Sequence, residues 1–317
     1  MKRIVTAALA ASLVFAGAAA QAQDKQQLVF VVNAASDFWK LAEAGVKKAQ
    51  GEMPDYDMSL RYPATNSAAA QNALMDDLAA AGADSIMISS VDPKTSTDAF
   101  NRIAAQIPLF TTDSDAPQSN RIAYLGSSNT EAGVQAGEIA LKALPDGAKC
   151  MGFVGFLGAD NAVERIAGFR KAVEGSKVEL VDVRGDDIDF ARARSNVDDV
   201  LAANPEITCM VGFYSYNSPK IFEALQAAGK IGAITVIAFD EDPITLGAVK
   251  DGSFAGTVVQ QPFEWGYQGM KLMAAYVGGD KSGIPDDKLI IVPTKVVNKE
   301  NVDAFTEDLK AKIASAG

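Results

Sequence analysis

The chain has 317 residues, with 40 acidic against 29 basic side chains for a net charge of −11, two cysteines and no histidine. The acidic balance argues against nucleic acid as a partner, because phosphate backbones reward a basic surface. Without histidine there is no imidazole base, Cys/His dyad, Ser/His/Asp triad or His-containing zinc set, so several enzyme classes are excluded. No catalytic residue, cofactor or metal is expected.

Residues 1–22 read as an export signal. Met1-Lys2-Arg3 is a short basic start, Ile4 to Ala20 is almost wholly small or apolar, and Ala20-Gln21-Ala22 gives the small-x-small cleavage pattern. The mature chain is expected to begin near Gln23, with no cysteine there to carry a lipid. The competing reading, a buried first helix, leaves the basic start and the cleavage pattern as coincidences.

Strand and helix patterns then alternate. Leu28 to Asn33, Met58 to Tyr62, Asp84 to Ser89 and Ile107 to Thr111 read as strands, separated by helices over Asp37 to Gln50, Ser67 to Ala81 and Thr95 to Ala105. A short strand, Ile122 to Leu125, leads to a crossing at Gly126-Ser127-Ser128-Asn129. A second series follows, with strands at Cys150 to Phe156, Val178 to Val183, Ile207 to Phe213 and Ile234 to Phe239. Its helices are placed over Thr130 to Leu144, Asn161 to Val173, Phe190 to Ala203 and Pro219 to Ala228. Continuous apolar strands between helices require parallel sheets covered on both faces, so two doubly wound α/β lobes are expected.

The last third, with strands at Ala255 to Gln260 and Leu289 to Val297 and a helix over Phe263 to Val277, adds to both sheets. Crossings near Gln260-Gln261-Pro262 and Val292-Pro293-Thr294 complete a three-crossing hinge. The expected lobes are 23–127 plus 262–292, and 128–261 plus 293–317. A terminal amphipathic helix carries Val302, Phe305, Leu309 and Ile313, with Asn298 as its cap. Cys150 and Cys209 each open an apolar strand and form a disulfide if those strands are neighbours; otherwise they are two buried thiols.

In doubly wound sheets, ligands collect beyond the carboxyl ends of the strands. The polar and aromatic residues there include Asn33, Ser36, Asp37, Phe38, Trp39, Ser89, Asp113, Tyr214, Asn217 and Asp240. Asp113 and Asp240 rank first, one in each series, since a carboxylate accepts two bonds from adjacent hydroxyls. Trp39, Phe38 and Phe190 offer faces for the C–H side of a sugar, although Trp39 also fits plain core packing. Arg165 can fork several bonds to ligand oxygens or simply pair with Glu164 or Asp160, and Gln260 sits at a crossing as an amide reaching into the cleft or as part of the hinge. A paired-carboxylate glycosidase is the competing use of Asp113 and Asp240. No GxGxxG or Walker spacing is present.

Several segments together resemble the periplasmic monosaccharide-binding proteins of ABC importers. They are Asp37-Phe38-Trp39, Ile107 to Asp113, Glu164 to Phe169, Asp189 to Arg192, Ala238-Phe239-Asp240 and Ala255 to Pro262. The resemblance covers nearly the whole mature chain. It implies a type I periplasmic binding fold, also found in LacI-type sensor domains, that closes over a sugar or sugar alcohol and presents it to a permease. By the same resemblance Phe38 and Trp39 stack on the ligand opposite Phe190, while Asp113, Arg165, Asp240 and Gln260 bond to its oxygens.

Ser89 and Tyr214 stand where ribose-binding members carry ligand-binding asparagines, with Asn217 as a nearby substitute, and Ser114 stands where they follow the Asp with Arg. The pocket is thereby more acidic, so a hexose, a polyol or an amino sugar competes with ribose. A secreted enzyme acting on a polyhydroxy compound and a partner for a sugar chemoreceptor are the other readings. A sugar-responsive repressor is disfavoured by the export signal and the acidic charge. A monomer is expected.

Overall fold

Runs of β-branched and aromatic residues too short for buried helices become the strands, and the Ala-rich segments between them become their covers. The computed structural model describes residues 25–315; the export signal read at 1–22 lies outside them. The first series is β1 (Gln26–Val31), α1 (Trp39–Glu52), β2 (Tyr56–Arg61), α2 (Ala68–Ala80), β3 (Ser85–Ile88), α3 (Pro93–Ala104), β4 (Leu109–Thr111) and β5 (Tyr124–Gly126). The second opens with α4 (Asn129–Ala143), β6 (Ala148–Val154), α5 (Asp160–Val173), β7 (Val178–Gly185) and α6 (Phe190–Ala203). It continues with β8 (Ile207–Gly212), α7 (Asn217–Ala227), β9 (Thr235–Phe239), α8 (Pro243–Asp251) and β10 (Gly256–Val259). The chain closes with α9 (Pro262–Val277), β11 (Leu289–Ile291), β12 (Lys295–Val297) and α10 (Val302–Ala314).

Two six-stranded sheets result, ordered β11-β5-β4-β3-β1-β2 and β12-β10-β9-β8-β6-β7. The orders correspond strand for strand, so β4 and β9 occupy the same place in the two sheets. Every pairing is parallel except that of β10 with β12. The chain passes between the sheets after β5, after β10 and after β11.

The apolar run from Leu289 to Val297 reads as one strand, but Pro293 interrupts it. Proline brings no N–H to continue the ladder beyond Val292, whose own N–H still bonds the Gly126 carbonyl, so the run divides into β11 and β12, one for each sheet. The terminal helix also starts later than its sequence suggests. Asn298 accepts the N–H of Glu300 and donates its own N–H to Asn301 Oδ1, forming a local turn rather than a cap, and the helix begins at Val302. Helix α8 has no counterpart in the sequence reading. Its start is marked by Asp242, whose carboxylate accepts the N–H of Ile244, followed by Pro243 in the first turn.

Cys150 and Cys209 are register partners on β6 and β8, with Cα atoms 4.3 Å apart, and are joined in a disulfide.

Each sheet is covered on one face by a helix pair that crosses through glycine: α1 with α9 at Gly45 and Gly266, and α4 with α5 at Gly133 and Gly168. A Cβ on Gly168 would lie 2.1 Å from the carbonyl oxygen of Thr130, and one on Gly133 would lie 2.1 Å from that of Arg165. Backbone cannot yield there, so Gly168→Ala is expected to push α5 away from α4 and cost about 1–3 kcal/mol. Calorimetric unfolding checks this; an unchanged melting temperature would show that the crossing has slack.

Candidate functional site

The carboxyl ends of the two sheets face each other. Asp113 follows β4 and Asp240 follows β9, equivalent places in the two lobes, and both hold left-handed backbone, with φ of 52° and 65°. Aspartate tolerates that conformation better than most residues, and the turn aims each side chain inward. Between them lies a small, partly enclosed cavity. Asn33, Ser36, Phe38, Trp39 and Asp113 line it from the first lobe; Asn161, Arg165, Tyr214, Tyr216 and Asp240 line it from the second, with Gln260 at the crossing.

Asp113 is 3 % exposed and densely held. Ser89 Oγ donates to it at 2.7 Å, Asn161 Nδ2 at 3.1 Å and Asn33 Nδ2 at 3.4 Å, and Arg165 Nη2 stands 3.6 Å away. Arg165 is itself buried, its Nε donating to Asn129 Oδ1 at 2.9 Å and its Nη1 to the Phe213 carbonyl at 2.7 Å. Its guanidinium carbon lies 5.0 Å from the ring centre of Phe239, a stacking that favours Arg over Lys. On the other side Gln260 Nε2 donates to Asp240 Oδ1 at 3.1 Å. Arg165 Nη2 and Gln260 Oε1 are buried with no hydrogen-bond partner among the described residues. Buried polar groups are normally paired, so one unused donor and one unused acceptor here point to a polar guest.

Other residues singled out from the sequence take supporting positions. Ser89 is fully buried behind Asp113 and does not line the cavity. Asn217 is spent on structure: its Nδ2 donates to Asp186 at 2.9 Å and its Oδ1 accepts the N–H of Tyr214 at 3.0 Å. Trp39 is 2 % exposed, tied by Nε1 to Asn33 Oδ1 at 3.0 Å and packed between Phe30, Phe38 and Trp265, so it is core with an edge on the cavity. Phe38, half-buried, is the more available ring.

Two placements correct the sequence reading. Asp37 falls in the turn that starts α1, where its 85 % exposed side chain pairs with Lys40 outside the cavity. Phe190 is 44 % exposed at the mouth of the cleft and packs on Tyr216 at 4.9 Å rather than opposing Phe38.

The sequence reading passed over Asn161, Tyr216 and Asp186. Asn161 lies one helical turn before Arg165, which puts both on one face of α5, and that spacing could have revealed it. Tyr214 Oη donates to Asn161 Oδ1 at 2.8 Å, which turns the amide so that its Nδ2 meets Asp113. Asp186 accepts from Tyr216 Oη, from Asn217 and from the N–H of Ile188. Asp187 and Ile188 both hold positive φ; for a β-branched residue this is rare and clusters at functional loops. Among the described residues no group of three acids or cysteines is placed to hold a metal ion.

Burial sets the charge states. It pushes Asp240 up to about 6 against the pull of Arg165 and Gln260, and raises Asp113 against the same arginine. Asp186 is pushed to about 6, again chiefly by burial, and Glu164 to about 7 by burial with help from Asp160 and Asp115. These carboxyls bind protons more readily folded than unfolded. Their contribution to stability is therefore complete below about pH 4 and lost as pH rises through 6 to 7. The melting temperature of the ligand-free protein is expected to rise by a few degrees as pH falls from 8 to 5. A fall over that window, read by scanning calorimetry, would contradict these environments.

Two doubly wound lobes, a three-crossing hinge and a polar cavity shared between them define a cleft-closing binding protein. The chain belongs to the periplasmic binding protein domain family, whose model matches residues 28–281. It is 27 % identical to the ribose import binding protein of Salmonella typhimurium over 283 residues, which is 89 % of this chain and 94 % of that one. A solute-binding protein from Burkholderia graminis, solved with D-arabinose, superposes with a TM-score of 0.82 at 30 % identity, covering 88 % of this chain and 97 % of the other. A glucose-galactose binding protein from Geobacillus stearothermophilus gives 0.82 at 27 % identity, covering 88 % and 99 %.

Proposed function

We propose that the chain binds one monosaccharide or sugar alcohol in the interlobe cavity and delivers it, unmodified, to the permease of an ABC importer. The observation that carries this reading is the buried Asp113–Arg165–Asp240 constellation, drawn from both lobes and retaining an unused donor and acceptor at Arg165 and Gln260. Charged groups already desolvated and held by the protein bond hydroxyls without further ordering cost. Phe38, with the edge of Trp39, supplies the apolar surface that a sugar's C–H face needs. Ligand bonded from both sides favours the closed arrangement over the open one.

In this reading residues 1–22 direct export to the periplasm and are removed, and the protein acts there as a monomer. The bodies that move are 23–127 with 262–292, and 128–261 with 293–317. The same closed face would serve a chemoreceptor. The ligands of these relatives, ribose, arabinose and glucose or galactose, support the sugar class.

Native mass spectrometry against a mixed library of pentoses, hexoses, amino sugars and sugar alcohols tests the proposal. One unmodified ligand per chain, with a smaller radius of gyration on binding, is the expected result. Release of a converted product would replace the binding reading with an enzymatic one.

A further inference from the structure

The space between the lobes does not end at Asp240. A second cavity, larger than the first and partly open to solvent, adjoins it, and Phe38, Ser215 and Asp240 line both. Leu41 of α1 forms one wall, and Leu309 and Ile313 of α10 form another. Ile313 is 45 % exposed although the stripe it belongs to is otherwise turned toward the second lobe.

Glu241 borders this space. It is 8 % exposed, and its Oε2 is buried with no hydrogen-bond partner among the described residues. An unpaired buried acid is costly, and no mechanism at the inner cavity uses this one. Burial and the neighbouring charge of Asp240 push its carboxyl well above the usual range. A buried carboxyl between aliphatic walls matches a hydroxylated ring: the C–H face meets the leucines and isoleucine, and an edge hydroxyl meets the acid. Asp37, Lys40 and Asp242 line the same space, Lys40 paired with Asp37 at its edge.

We propose that this space is a second sugar subsite, so that the chain accepts disaccharides whose inner ring fills the Asp113–Asp240 cavity. The outer ring lies between Leu41, Leu309 and Ile313 and bonds Glu241. This rests on the sugar-binding reading and extends it from one ring to two.

The test is titration calorimetry with D-glucose, D-galactose, D-arabinose and D-ribose beside maltose, cellobiose, lactose and melibiose. At least one disaccharide is expected to bind about tenfold or more tighter than either of its component sugars, the effect of one added hydrogen bond with some buried apolar area. Leu309→Trp and Ile313→Trp, each filling the space from a different position, are expected to erase that advantage while leaving monosaccharide affinity within about twofold. Glu241→Ala is expected to weaken only the disaccharide, and Glu241→Gln, which donates and accepts, to restore much of it. Disaccharides that all bind more weakly than their component sugars would overturn the second subsite and leave monosaccharide binding intact. Tryptophan variants that weaken both ligand classes alike would do the same. Absence of binding by all eight sugars would overturn the second subsite and confine the sugar-binding reading to ligands outside this set, such as amino sugars and sugar alcohols.

Discussion

Arg165→Ala is expected to abolish measurable ligand binding and to destabilise the folded protein by about 3–5 kcal/mol, the cost of leaving a buried charge without its partner. Among the described residues Arg165 is the one cation facing both Asp113 and Asp240, it bonds Asn129 and Phe213, and it stacks on Phe239. Its loss removes a donor aimed at the guest and the group that draws two buried carboxyls toward ionisation. Arg165→Lys is expected to recover part of the stability and little of the affinity, because a single ammonium cannot reach the Asn129 amide, the Phe213 carbonyl and the ligand together. Chemical unfolding and calorimetric titration of the three proteins read the two effects separately. If Arg165→Ala bound ligand within tenfold of the wild type, the centre of the site would have to be sought elsewhere in the cleft.

Breaking the Cys150–Cys209 bond is expected to act on stability alone. The bond spans a sequence separation of 59, and closing a loop of that size stabilises by about 4 kcal/mol through the unfolded chain. Cys150 lies near the start of β6, four residues before the end that faces the cavity, a distance of about 13 Å along a strand. The double Cys→Ala variant, and the wild type under strong reductant, should therefore melt at clearly lower temperature yet bind ligand with unchanged affinity. Equal melting temperatures for reduced and oxidised protein would argue that the two thiols pack without bonding. A loss of affinity would mean that the bond shapes the cleft.

The parts of the site that sequence made legible are those fixed by topology. Asp113, Tyr214 and Asp240 could be placed because the end of a parallel strand points at the cleft whatever the details, and Arg165 because α5 begins at that same end. What stayed hidden depends on rotation within a turn. One residue separates exposed Asp37 from half-buried Phe38, and one more separates it from buried Trp39, so the start of α1 decides which of them meets the cavity. Asn217 likewise falls where its amide serves Asp186 and the Tyr214 backbone.

In the fold, β1 to β10 follow the apolar runs closely. Helix α8 escaped notice because nine residues with Thr245, Leu246, Ala248 and Val249 inside give only a faint stripe. The pairing of the cysteines hinged on β6 and β8 being neighbours, which strand-by-strand reading leaves open.

Asn161 and Arg165 reach Asp113 directly from the opposite lobe. These are bonds across the cleft that require no guest, so they lower the free energy of the shut form in the empty protein as well as in the loaded one. Each such bond raises apparent affinity by enlarging the fraction of molecules ready to bind. It also lets empty, shut molecules compete for the permease. Weakening the bridge, as Asn161→Ala would, trades affinity for discrimination between loaded and empty carriers, so the strength of this one contact sets how far transport rate tracks ligand supply.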